Sequence, residues 1–111
     1  MNFNAEELIE TVGGDKEIAA EVVQVYIEEA KELIDGIETE IGNNNAEKVD
    51  VLGHTLKGAS SNLGAESICE KALQIEQAGK AGDLKLATEL LPQLKAAYEL
   101  LIKELQDWLQ E

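Results

Sequence analysis

The sequence predicts an all-α fold, an antiparallel up-and-down four-helix bundle with a short extra N-terminal helix. Three observations carry that prediction. The chain is 44% hydrophobic but only 4% aromatic, which suits helices packed on helices better than a β-rich core. Apolar residues recur at steps of three and four in nearly every segment, and no strand-period alternation persists. Clusters of glycine and asparagine then cut the chain into segments with short connections, which favour antiparallel neighbours.

The first helix is expected to begin after Asn4, since Asn4 and Glu7 have capping-box spacing, and to stop at Gly13-Gly14. Phe3, Leu8, Ile9 and Val12 are placed to cover one end of the bundle. A long second helix starts after Asp15, a good N-cap residue. Ile18, Val22, Tyr26, Ala30, Leu33, Ile37 and Ile41 form its apolar stripe, and Gly42 to Asn45 is a strong turn signal. The third helix is predicted from about Ala46 to Asn62, with Val49, Leu52, Leu56, Ala59 and Leu63 as its seam. Gly64 marks the next turn. A fourth helix follows with Ala65, Ile68, Ala72 and Ile75 inward, ending near Gly79 to Gly82. Asp83 is positioned to cap the last helix, whose seam runs Leu84, Ala87, Leu91, Leu94, Tyr98, Leu101, Leu105 and Trp108. Pro92 lies inside it, and because the seam stays in register a kink is expected rather than a break.

Length and composition bound the function. A chain of 111 residues suits one domain, taken as 1–111. The formal charge of −14, from 23 acidic and 9 basic residues, repels phosphate backbones and anionic lipid. Nucleic-acid and membrane partners are therefore not expected. Cys69 is the only cysteine, so no intrachain disulfide forms, and its helical pattern reads as buried packing. No apolar run approaches a membrane-spanning length and the N-terminus does not resemble a signal peptide, which points to the cytoplasm.

His54 is the only histidine, and its placement is informative. With about 100° per residue, Leu52, Leu56, Ala59 and Leu63 fall about 140–180° from it, so the imidazole points away from the core. Asp50, Lys57, Gly58 and Ser61 fall within about 60° of it on the same face. Two glycines in this helix, Gly53 and Gly58, cost about 1 kcal/mol each relative to alanine and call for a reason. Close approach of another helix is one. Gly58 lies on the solvent side, where the other reason applies: it clears space beside the ring for a macromolecule. Lys57, one turn on, supplies a positive charge for a phosphoryl group on the imidazole.

The run His54-Thr55-Leu56-Lys57-Gly58-Ala59-Ser60-Ser61-Asn62-Leu63-Gly64-Ala65 resembles the signature of the histidine-containing phosphotransfer (HPt) domain family, approximately H-x-L-K-G-x-x-x-x-x-G. Ile75-Glu76 and Gly82-Asp83-Leu84 are similar to the family's weaker second block. The resemblance implies a phosphorelay carrier with His54 as phosphoacceptor through Nε2, Lys57 stabilising the phosphoryl oxygens and Gly58 keeping the approach open. It also implies that Glu76 orients the imidazole through the other ring nitrogen. Two departures stand out, Lys80 where an arginine is common and Ile75 in place of leucine, and neither is expected to touch the phosphate site.

The implied partners are a response-regulator receiver domain, a sensor histidine kinase, or both, and the chain itself is expected to be a monomer. The implied chemistry is stoichiometric exchange with a receiver aspartate, not ATP-dependent kinase activity. No cofactor is expected in this chain, because it has no phosphate-cradling glycine loop and any Mg²⁺ belongs to the receiver. The acidic charge argues against broad steering toward an acidic receiver. A small neutral patch of Val51, Thr55, Gly58 and Ser61 is the expected contact surface. Two other readings remain open. One is a non-catalytic helical adaptor in which His54 is an ordinary surface residue. The other is a metal site from Asp50, His54 and Glu47, although no second histidine or cysteine pair completes a usual ligand set.

Overall fold

Five helices form in the predicted order in a computed structural model that describes residues 2–111: α1 (Ala5–Thr11), α2 (Lys16–Gly42), α3 (Ala46–Ser61), α4 (Glu66–Lys80) and α5 (Leu84–Leu109). Among the described residues there is no strand. Four starts are set by short polar side chains. Asn4, Asp15, Asn45 and Asp83 accept the orphan amides of Glu7, Glu17 and Ile18, Lys48, and Leu86, as helix N-caps do. The Asn4–Glu7 box closes side chain to side chain, because the Asn4 amide donates instead to the Leu63 carbonyl at 3.1 Å. At the end of α3, Gly64 turns the chain at φ +67° and the Ala65 amide returns to the Ser60 carbonyl. That left-handed position favours glycine.

α2 packs against α3 and α5, and α4 packs against the same two helices, so the four close into a ring. With connections as short as residues 43–45, 62–65 and 81–83, successive helices must reverse direction. α2 and α5, at 27 and 26 residues, outrun α3 and α4, at 16 and 15. α1 and the residues before it fill one end. Phe3 meets Trp108 edge-on with ring centroids 6.0 Å apart, an arrangement that aromatic quadrupoles favour.

The core takes residues from every helix and matches most of the predicted seams. α5 runs through Pro92 without a break. The stripe of α2 needs correction: Ala19, Val23 and Ile34 are buried, whereas Ile18 is 45% exposed and Val22, Leu33 and Ile41 are half-buried. Neighbouring apolar pairs such as Ile18-Ala19 and Val22-Val23 widen the apolar band, and only the packing partner decides which member faces inward. α3 ends at Ser61, with Asn62 as its C-cap rather than its last residue. Cys69 is half-buried, not fully buried, and its Sγ donates to the Lys57 carbonyl at 3.5 Å. Among the described residues no helix is long and apolar enough to cross a membrane.

Polar links tie the helices in pairs. Tyr26 and Ser60 share a buried hydrogen bond of 2.7 Å between α2 and α3, and burial raises the Tyr26 phenol well above its ordinary pKa. Tyr98 donates to the Ile27 carbonyl at 2.8 Å, and Lys95 meets both Glu38 carboxylate oxygens at 2.9 Å, joining α5 to α2.

Candidate functional site

Two glycines set the spacing on which the site depends. A Cβ on Gly53 of α3 would lie 2.9 Å from the Glu76 amide nitrogen and 3.1 Å from the Ala72 carbonyl oxygen. A Cβ on Gly79 of α4 would lie 2.5 Å from the Asp50 amide nitrogen and 2.9 Å from the Ala46 carbonyl oxygen. Real Cβ atoms do not come within 3.0 Å of backbone, so α3 and α4 approach each other as only glycines allow. That closeness puts Glu76 of α4 beside His54, the residue after Gly53. The packing reason for a glycine in α3 therefore belongs to Gly53. Gly58 is exposed, and a Cβ added there would meet nothing within 4 Å.

The His54 side chain is 69% exposed, as its angular position predicts, while the Glu76 side chain beneath it is only 5% exposed. His54 Nδ1 and Glu76 Oε1 are 3.0 Å apart. Lys57 Nζ lies 3.0 Å from the same Oε1 and donates to Oε2 at 3.4 Å. Lys80, four residues beyond Glu76 on α4, donates to Oε2 at 3.5 Å. One carboxylate thus gathers an imidazole and two ammonium groups. The i, i+4 spacing on α4 brings Lys80, which stands where an arginine is common, onto the Glu76 carboxylate.

Burial pushes the Glu76 carboxyl pKa up, but hydrogen bonds from Lys57 and His54 and the charges of Lys57 and Lys80 outweigh it. The net result lies below the ordinary value. Glu76 is therefore an ionised acceptor that has nothing to donate. His54 Nδ1 must then carry the proton of the shared hydrogen bond, and in the neutral ring the lone pair falls to Nε2. Cys69 contributes no comparable activation, since burial, with the Glu66 charge, raises its thiol pKa.

The remaining candidates surround this centre. Val51, Thr55, Gly58 and Ser61 are all exposed on α3, and Thr55 Oγ1 donates to the Val51 carbonyl at 2.9 Å. Thr55 also borders a groove of about 540 Å³ between α2 and α3, lined in part by Ile18, Val22, Val25 and Ala59. Periodicity assigns Ile18 and Val22 to the core and leaves Val25 aside. An apolar residue on the outer face of an amphipathic helix is the signal that could have found this groove. Among the described residues no three His, Cys, Asp or Glu side chains form a metal-ligand group, so the Asp50–His54–Glu47 reading gains no geometric support.

Comparisons with known proteins point one way. The Hpt domain family matches residues 21–108. The phosphorelay intermediate protein rdeA of Dictyostelium discoideum is 26% identical over 106 residues, which are 96% of this chain and 42% of that protein. Histidine-containing phosphotransfer protein 2 of Oryza sativa subsp. japonica is 30% identical over 77 residues, 68% of this chain and 52% of that protein. The chain thus spans about half, or less, of the length of these curated relatives. The crystal structure of histidine-containing phosphotransfer protein B from Pseudomonas aeruginosa superposes with a TM-score of 0.91. The match covers 98% of this chain and 95% of that one at 16% identity, a likeness of fold.

Proposed function

The chain belongs to the Hpt domain family of phosphorelay proteins, and from that premise we propose that it is a reversible phosphoryl carrier with Nε2 of His54 as the acceptor. The observation that carries this reading is the 3.0 Å contact between His54 Nδ1 and an ionised, buried Glu76. It holds the ring in the tautomer whose outer nitrogen is nucleophilic, the orienting role a carboxylate plays beside histidine in hydrolase triads.

In the proposed step the Nε2 lone pair attacks the phosphorus of an aspartyl phosphate on a receiver domain. The Nε2–P bond forms while the P–O bond to the aspartate breaks, and the aspartate leaves as a carboxylate with the bonding pair. The ring keeps its Nδ1 proton and becomes positive beside Glu76, so no base is needed. Lys57 is the cation for the phosphoryl oxygens, and in-line positioning does most of the remaining work. The reverse step returns the group to an aspartate. Mg²⁺ is a component of the receiver, and a sensor kinase is the upstream source where the receiver is not.

The partner is proposed to dock over Val51, Thr55, Gly58 and Ser61, with the apolar groove beside Thr55 extending that surface. The chain acts as a stoichiometric carrier, a monomer in the cytoplasm, and does not use ATP. The test is to offer the purified chain a phosphorylated receiver or the small donor phosphoramidate. An acid-labile, base-stable label lost in His54→Gln is the expected result. If no donor labels the chain, or if His54→Gln labels as well as wild type, the helical-adaptor reading replaces this one.

A further inference from the structure

The proposed transfer asks Lys57 to serve two anions. At rest its ammonium lies 3.0 Å from Glu76 Oε1, the same oxygen that faces His54 Nδ1 at 3.0 Å. A phosphoryl group on Nε2 is attached at a different ring nitrogen, so a lysine that turns toward it loosens its hold on Oε1. The carboxylate, with a side chain 5% exposed, would then lose its nearest cation, and a charge so poorly solvated needs a replacement. Lys80 is already in place. Its Nζ is 3.5 Å from the other oxygen, Oε2, and its side chain is 62% exposed. It comes from the same helix as Glu76, so it need not move with Lys57 or with α3.

Resting on the reading of His54 as acceptor, we propose that Lys80 is a positioning residue that keeps the Glu76 carboxylate charged and in place while Lys57 turns to the phosphoryl group. The two lysines divide the two anions. Lys57 goes to the phosphoryl oxygens, Lys80 stays on Glu76, and Glu76 holds the Nδ1 proton throughout.

Two measurements test this, and the first needs no phosphoryl transfer. Lys57→Met imitates the moment at which Lys57 has left Glu76. Long-range ¹H–¹⁵N spectra of His54 are expected to show the proton on Nδ1 in wild type, in Lys57→Met and in Lys80→Met. In the double variant the buried carboxyl, with no cation left beside it, should take up a proton and donate it to Nδ1, so the Nε2–H form should gain by about threefold or more in the tautomer ratio. Lys80→Arg in the Lys57→Met background should keep the wild-type ratio. Loss of the Nδ1–H form already in Lys57→Met, or an unchanged ratio in the double variant, overturns the proposal.

The second measurement uses phosphoramidate, whose P–N bond breaks as the Nε2–P bond forms while its protonated nitrogen leaves as ammonia. Lys80→Met should slow labelling about threefold to fivefold when Glu76 is present, the range a partly exposed ion pair supports. In the Glu76→Gln background it should have no measurable effect, because no carboxylate charge remains to be held. Equal slowing in both backgrounds would place Lys80 on the phosphoryl group itself and overturn the proposal. If wild-type His54 takes no label at all, the functional reading fails, while the spectra still decide what Lys80 does for Glu76.

Discussion

A Cβ on Gly53 would collide with the backbone of α4, at 2.9 Å from the Glu76 nitrogen, whereas a Cβ on Gly58 would meet nothing within 4 Å. The two residues sit in one helix and carry the same intrinsic penalty, about 1 kcal/mol relative to alanine. Five residues of ideal helix separate them by about 140°, so they serve opposite faces. On the Gly53 face the missing side chain lets α4 close in and brings Glu76 to His54. On the Gly58 face it leaves room beside the ring. A glycine in a helix is therefore ambiguous until its neighbours are known, and α3 uses both of its meanings within two turns.

Substitutions on the two faces should separate stability from transfer. The largest loss of stability is expected on the packed side. Gly53→Ala and Gly79→Ala must push α3 and α4 apart, at a cost of about 2–3 kcal/mol or more. That corresponds to a fall in Tm of about 10 °C, with Gly79→Ala the worse because its contact is the closer. Thermal unfolding checks this, and a Tm within a degree or two of wild type would show that the helices are not held by the glycines. Separating the helices should also weaken the His54–Glu76 contact, which the histidine ¹⁵N spectrum reads directly.

Gly58→Gln reverses the pattern. It should preserve helix stability or raise it by about 0.5–1 kcal/mol, yet slow transfer from a phosphorylated receiver by about tenfold or more, because the approach is blocked. Unimpaired transfer in this variant would end the clearance explanation and leave Gly58 without a role.

A third side of α3, facing α2, is held by polar pairing rather than by missing side chains. Tyr26→Phe removes one member of the buried Tyr26–Ser60 hydrogen bond and should cost about 1–2 kcal/mol in chemical denaturation. Transfer should be little changed, since by helix period Ser60 lies about 160° from Gly58 and about 120° from His54. A large loss of transfer would mean that the site depends on that seam after all.

The smallest effect concerns pH. The folded Glu76 carboxyl has a pKa below its ordinary value near 4.5. Its contribution to stability is therefore fully present above the unfolded value and is lost as pH falls from about 4.5 through the lower folded value. Wild type should lose stability across that acidic window faster than Glu76→Gln. Parallel pH profiles for the two proteins would show that the folded site does not favour the ionised carboxylate.

The fold is largely legible in the residues because its cues are local. Asn4, Asp15, Asn45 and Asp83 are capping types at segment starts, and Gly64 and Gly82 take the left-handed turns that end α3 and α4. Periodicity places the stripe of α2 one residue off at Ile18 and Leu33, since adjacent apolar residues leave the inward direction undecided. For the site, the outward placement of His54 with Lys57 and Gly58 near it follows from helix period alone. Glu76 is reached only through family resemblance, because nothing local in α4 marks that glutamate among the others. The pairing of Lys80 with Glu76 is available from their i, i+4 relation, but only once Glu76 is known to matter.

Sequence by itself determined the helices, their order, and the exposed histidine with a lysine one turn on, because periodicity and capping act within a few residues of chain. Only the tertiary structure decided that Gly53 and Gly79 press α3 onto α4, that Glu76 is the one carboxylate drawn beneath the ring, and that Lys57 and Lys80 share it. The contacts of Glu76 with Lys57 and His54 join residues 19 and 22 positions apart. They depend on how closely two helices pack, a distance no single helix encodes.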